Sequence, residues 1–274
     1  MPIKKDDSGK RWVEMEFVTP GTPEQVWEAM ATGPGQTAWF TKTTVEQRVG
    51  GEIRFDFGPN GTQAGTVTAW EPPRRFAYVE RDWSEGAPPV ATEITITARS
   101  GDQCVVRMVH SLFSTSDDWD DQMEGFEKGW PAFFEVLRLY LTHFAGQPGA
   151  CFTLITTGNG DQTVSWKRLI EQLDLGGASV GEPRVTSGQP EALSGVIERI
   201  DQDRQRRYLL MRFDTPGPGI AIVGTYDAGT RAGISINMYA YGDGAQARAA
   251  DSERRWRDWL EARFGSGAAD APSR

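Results

Sequence analysis

The chain has 274 residues, of which 38% are hydrophobic and 24% are charged, and its formal net charge is −9. This length suits two domains of roughly 100 to 150 residues each. The acidic balance argues against nucleic-acid binding, because phosphate contacts require a surplus of Lys and Arg. No stretch approaches the roughly 20 apolar residues of a membrane span, and the N-terminal MPIKKDDSGK lacks the apolar core of a secretion signal. We therefore predict a cytoplasmic protein without a membrane span.

Few side chains are available for metal binding or covalent chemistry. Cys104 and Cys151 are too few and too far apart for a disulfide framework or a structural zinc site. The chain contains two histidines, His110 and His143. The loop GNGDQT at 158–163 has only part of the glycine pattern of a dinucleotide-binding loop and is better explained as a helix start. We therefore predict neither a metal site nor a cofactor.

The first half of the chain begins with a strand pattern and a complete helix start signal. Apolar and polar side chains alternate in RWVEMEFVT, residues 11–19. Thr22 is a natural helix cap, Pro23 fits the first helical position, and Gln25 completes a capping box. Between residues 44 and 113, runs of alternating apolar and polar side chains are separated by Gly- and Pro-rich turns. This pattern predicts an antiparallel meander.

A long amphipathic helix follows the meander and contains the sequence Gly129-Trp130-Pro131. Proline inside a helix removes a backbone donor and clashes with the preceding turn, so we predict one helix with a bend at this point. The apolar side chains keep helical phase through the interruption at Trp119, Met123, Phe126, Trp130, Phe133, Leu137, Tyr140 and Phe144.

The second half repeats the order of strand, helix, meander and terminal helix in shorter form. GQPGA at 146–150 has the composition of a linker. We therefore predict a first domain over 1–146, an abbreviated second domain over 151–264, and a disordered tail over 265–274, where small and polar residues dominate.

Several segments of the first half, in their order along the chain, resemble the AHSA branch (activator of a heat-shock ATPase) of the SRPBCC or START-like superfamily. They are TPEQVWEAM, AWF, VGGEIRFDF, AGTVTAWEPPRRFAYVE, VVRMVHSLF and GWPAFFEVLRLYL. The second half is similar only in the order of its elements. The resemblance implies an α+β fold of tandem helix-grip domains, in each of which a curved antiparallel sheet wraps a long C-terminal helix and leaves a cavity.

The resemblance also implies three classes of function. The first is binding of a small lipophilic or aromatic molecule in the cavity of the first domain. Catalysis on such a molecule, as in cyclases and hydratases of the superfamily, is the second. The third is a co-chaperone-like interaction with a protein partner, with a homodimer as a further form of association. Fold does not decide between these classes.

Alternation along two strands places Glu80 and His110 on faces that are otherwise apolar. We predict that they form a polar pair inside the cavity, in which Glu80 favours the charged imidazole; a buried pair that only fixes strand register is the alternative. The predicted ligand-binding residues are Phe55, Phe57, Tyr78, Glu80, Met108, His110, Met123, Trp130 and Phe134.

Overall fold

The computed structural model divides into two compact units, Met1–Gln147 and Pro148–Arg274, which are described separately. The predicted tail lies outside the described residues, apart from Gly265. The described residues are 3–6, 10–58, 61–81, 83, 86–112, 118–158, 160–203, 206–229 and 231–265, without the side chains of 120–128.

The N-terminal unit is built on an antiparallel sheet of eight strands in the order β1-β2-β8-β7-β6-β5-β4-β3. The strands are β1 (Lys4–Lys5), β2 (Arg11–Pro20), β3 (Lys42–Val45), β4 (Glu52–Asp56), β5 (Thr62–Glu71), β6 (Arg75–Glu80), β7 (Val90–Arg99) and β8 (Gln103–Leu112). Strands β3 to β8 form the predicted meander, and β2 pairs with its last strand. The helices are α1 (Pro23–Ala31), α2 (Gly33–Thr37) and α3 (Asp120–His143).

Helix α1 begins at the capping box expected from the sequence. The Gln25 backbone N–H donates to Thr22 Oγ1 over 3.4 Å, and Gln25 Oε1 accepts from the Thr22 backbone N–H over 2.9 Å. Helix α1 ends at Ala31, and Thr32 then caps the short helix α2. A Cβ at Gly35 would lie 1.9 Å from the Glu28 carbonyl oxygen, so this second turn requires glycine.

Thr22→Ala is expected to lower the free energy of unfolding of the N-terminal unit by about 1 kcal/mol, because the backbone N–H of Gln25 loses its acceptor. Urea denaturation followed by circular dichroism measures the change. Thr22→Ser is the matched control, since serine keeps the accepting oxygen. Equal losses in the two variants would contradict a capping role.

Helix α3 continues through Gly129-Trp130-Pro131 as a single element. It packs against β2 and buries Val136, Leu137 and Tyr140. Gly129 does not serve close packing, because a Cβ at this position would meet no atom within 4 Å. The glycine leaves open space on the inner side of the helix.

The C-terminal unit has the same connectivity with fewer strands, in the order β10-β11-β12-β13-β14-β9. The strands are β9 (Gly149–Thr157), β10 (Pro183–Val185), β11 (Ser194–Gln202), β12 (Arg206–Thr215), β13 (Gly219–Asp227) and β14 (Ala232–Tyr241), and the helices are α4 (Gln162–Gln172) and α5 (Ala245–Phe264). In both units the first long strand pairs with the last strand of a meander, and a long helix ends the unit. The predicted fold class is therefore confirmed.

The space beneath α5 is filled by side chains. Trp256 is fully buried, and its Nε1–H donates to Glu191 Oε2 over 3.2 Å. The Ser252 hydroxyl donates to the same oxygen over 2.7 Å, and Arg255 forms an ion pair with the other oxygen of Glu191. The cavity found here measures about 20 Å³, which is room for little more than one water molecule.

Residues 1–147 are expected to fold when expressed without the rest of the chain, because this unit has its own sheet, helices and core. Far-ultraviolet circular dichroism and a cooperative melting curve check this.

Limited proteolysis of the full chain should first cut near 146–150 and leave two resistant fragments. Early cuts within both units, with none near 146–150, would contradict the division.

Candidate functional site

A cavity of about 300 Å³ lies in the N-terminal unit, between the helix-facing side of the sheet and helix α3. This volume is at the lower end of the range for small-molecule sites. Its wall is mostly aromatic and consists of Phe40, Phe55, Phe57, Gln63, Tyr78, Glu80, Trp83, Val90, His110, Gly129, Trp130 and Phe133.

Strand alternation and register bring the polar wall residues together. Tyr78 and Glu80 are two residues apart on β6 and therefore share the helix-facing side of the sheet. Tyr78 is paired with Thr92 on β7, and Thr92 is paired with His110 on β8. Three polar side chains thus stand side by side across three neighbouring strands, with Glu80 one step further along β6.

The helix contributes a ring that is fixed from both sides. Trp130 stacks on His110 with 5.8 Å between ring centroids and on Phe134 with 5.5 Å. Phe134 in turn stacks on Phe17 of β2 at 4.0 Å. This series of near-parallel rings ties α3 to two strands, while Gly129 keeps the adjacent part of the helix free of a side chain.

His110 is neutral at physiological pH, which corrects the predicted charged imidazole. Its Nδ1 lies 2.8 Å from Thr92 Oγ1, and the side chain is 5% exposed. Burial lowers the pKa of His110 to about 4. The predicted hydrogen-bonded pair with Glu80 is wrong, because the partner of His110 Nδ1 on the next strand is the Thr92 hydroxyl group and not a carboxylate.

Glu80 is 9% exposed, and its carboxyl group has no hydrogen-bonding or ion-pairing partner among the described residues. Burial raises the pKa of Glu80 to about 7. Burial and the charge of Glu80 together raise the pKa of Tyr78 far above its usual range, an effect that the nearby Thr92 hydroxyl opposes. The wall therefore holds one carboxyl group that titrates near neutral pH, and two groups, Tyr78 and His110, that do not.

Most of the residues predicted from the sequence lie in the wall, namely Phe55, Phe57, Tyr78, Glu80, His110 and Trp130. Met108 does not line the cavity, because it is buried in the sheet core between Met15 and Ile94 of the neighbouring strands. Phe134 lies behind Trp130, with its ring between Trp130 and Phe17. The Met123 side chain lies outside the described residues.

Sequence reasoning missed several wall residues. Phe40 follows α2, and Trp83 lies beyond the end of β6, so neither belongs to a periodic segment. Val90 is paired with Glu80 across the β6–β7 register and could have been found from the alternation of β7. Phe133 was part of the apolar stripe of α3 but was not among the predicted ligand-binding residues.

Within the described residues, no group of three or more His, Cys, Asp or Glu side chains is arranged to hold a metal ion. None of the helices described has both the length and the apolar character needed to cross a bilayer.

Residues 20–142 match the family described as Activator of Hsp90 ATPase homolog 1-like protein. The N-terminal unit contains an AHSA1-type domain. This confirms the resemblance seen in the sequence of the first half. No curated protein gives a significant match to the chain.

Solved structures similar to this chain cover between 48% and 94% of it. Protein MLL2253 from Mesorhizobium loti is 24% identical over 48% of this chain and 97% of its own, with a TM-score of 0.44. CalU16 from Micromonospora echinospora is 19% identical over 52% of this chain and 83% of its own, with a TM-score of 0.40. DynU16, from the dynemicin biosynthetic locus, is 15% identical over 94% of this chain and 97% of its own, with a TM-score of 0.42.

Proposed function

We propose that the AHSA1-type domain binds a small lipophilic or aromatic molecule between its sheet and helix α3. The observation that carries this proposal is the cavity of about 300 Å³ whose wall is dominated by aromatic rings. Apolar walls with a few placed polar groups are typical of sites that bind small molecules. Release of water from such a surface drives the binding of an apolar ligand.

The contrast between the two units supports assigning binding to the first. Helix α3 presents Gly129 to the cavity, which leaves space, whereas helix α5 carries the buried side chains of Trp256 and Trp259. The cavity of about 300 Å³ in the AHSA1-type domain has room for a ligand of two fused or linked rings, whereas the cavity of about 20 Å³ beside α5 does not.

Binding is tested with N-phenyl-1-naphthylamine, a neutral dye whose fluorescence rises in apolar surroundings. We expect saturable binding with energy transfer from tryptophan, because Trp83 and Trp130 belong to the wall. Gly129→Leu should weaken binding at least tenfold, since the new side chain enters space that is open in the parent. Leucine is also a better helix former than glycine, so the variant is expected to fold.

Gly176→Leu is the matched control, because Gly176 is exposed in the C-terminal unit and a side chain there meets no neighbour. This variant should bind the dye like the parent. Dye binding that is equally strong in Gly129→Leu, or absent from the parent, would contradict the proposed site.

Catalysis of proton transfer is a second candidate function, and the ionisation of Glu80 favours it. A general base works best when its pKa lies near the working pH, and burial brings the pKa of Glu80 to about 7. If Glu80 acts as a base, the protein should accelerate exchange of the acidic α-protons of 2-tetralone with deuterated water. Proton NMR measures the rate, which Glu80→Gln should return to that of buffer. An unchanged rate in the variant would eliminate this candidate.

A further inference from the structure

We propose that the ligand of the AHSA1-type domain is an aromatic amine in its cationic form, whose ammonium group is held by the Glu80 carboxylate. The inference rests on the proposed binding function and adds the charge and chemical class of the ligand. It combines the position of Glu80, the surrounding rings and the character of the other polar groups in the wall.

The Glu80 carboxyl group occupies a buried position in the wall of the cavity. It is carried on the last residue of β6, is 9% exposed, and lies in the wall of the cavity without a partner among the described residues. A buried carboxylate is costly unless a charge or hydrogen-bond donors compensate it. The described part of the wall does not provide this compensation. A ligand with an ammonium group would provide both.

Aromatic rings share the wall of the cavity with the Glu80 carboxyl group. Phe40 and Trp130 have ring centroids 4.8 Å apart, and Phe55 lies 5.6 Å from Tyr78. Ring faces attract cations through their quadrupole, and they attract the ring of an aromatic ligand by stacking. A wall of this type accepts both ends of an aromatic amine.

The described wall carries no Lys or Arg side chain, and two of its N–H groups already donate to backbone carbonyls. The Trp83 indole N–H donates to the Pro88 carbonyl over 2.7 Å, and a Gln63 amide N–H donates to the Trp83 carbonyl over 3.3 Å. The described wall contains no Lys or Arg, and His110 is neutral near pH 7. A carboxylate or phosphate ligand would therefore face Glu80 without a compensating cation among the described residues.

Binding of the amine is expected to depend on pH. The titratable side chains in the described wall are Tyr78, Glu80 and His110, and only Glu80 has a pKa, about 7, within the range from pH 6 to 8. The ammonium group binds the ionised form of Glu80, whose population rises about tenfold across this range. The apparent affinity for the amine should rise by about the same factor.

The test compares 1-naphthylmethylamine, 1-naphthylmethanol and 1-naphthoate, which share a ring system and differ in charge. Their affinities are measured by displacement of N-phenyl-1-naphthylamine from the full chain at pH 6, 7 and 8. We expect the amine to bind at least tenfold more tightly than the alcohol at pH 8, with the carboxylate weakest. In Glu80→Gln the amine should lose this advantage, while Glu93→Gln, on the opposite face of the sheet, should keep it.

The outcomes separate this inference from the function on which it rests. If the dye binds but the parent prefers the alcohol or the carboxylate to the amine, the inference fails and the binding function stands. If the dye does not bind at all, both fail. If Glu80→Gln does not fold, the pH dependence of the parent protein tests the inference instead. An amine-to-alcohol affinity ratio that does not rise from pH 6 to 8 overturns it.

Discussion

Trp256→Ala is expected to lower the free energy of unfolding of the C-terminal unit by about 3 to 5 kcal/mol, because it removes a fully buried indole from a filled core. The change also leaves Glu191 without the indole N–H that donates to it. Trp130→Ala is the matched comparison in the AHSA1-type domain. Its side chain is only half-buried at the cavity, so we expect a loss of about 1 to 2 kcal/mol.

Differential scanning calorimetry of the full chain measures both changes, because each variant should shift the transition of its own unit. A Trp256→Ala protein with the thermal profile of the parent would show that the space beneath α5 is not filled. Equal losses of unfolding free energy in the two variants would contradict the contrast between the cavity beside α3 and the filled core beneath α5.

Glu80→Gln is expected to change the free energy of unfolding of the AHSA1-type domain in a pH-dependent way. The change should be about 3 kcal/mol more stabilising at pH 8 than at pH 4.5. Burial raises the pKa of Glu80 from its usual 4.5 to about 7, so the folded state keeps a proton that the unfolded state releases between these values. The contribution of Glu80 to stability is therefore full below pH 4.5 and is lost as the pH rises through 7. Glutamine keeps the shape of the side chain and does not ionise.

Urea denaturation from pH 4.5 to 8 measures this difference, and Glu93→Gln on the opposite face serves as the control. His110 acts in the other direction: its pKa falls from 6.5 to about 4 on folding, so its contribution is lost as the pH decreases between these values. With Glu80 replaced, stability should thus rise with pH from 4 to 6.5. A pH-independent effect of Glu80→Gln would show that the carboxyl group is solvated in the folded state.

The sequence was sufficient for the elements whose signals are local. The capping box of Thr22 and Gln25 fixes the start of α1 because both hydrogen bonds lie within one turn. Alternation identified the long strands of both meanders, since the side chains of a strand point to opposite faces in turn. For the same reason it placed Tyr78, Glu80 and His110 on helix-facing sides before any contact was known. The short strands β1 and β10 and the helix α2 lack this periodicity and were missed.

What only the tertiary structure decided is how those faces meet. Alternation puts Met108 on the same side as His110, but position along the strand determines that Met108 lies in the core and His110 at the cavity. The partner of His110 is Thr92 because register between strands, which no local pattern specifies, aligns β7 with β8. The depth of burial, and with it the ionisation of Glu80 and His110, follows from the packing of α3 on the sheet. The sequence thus determined which residues could face the helix, and long-range packing determined which of them surround an open space.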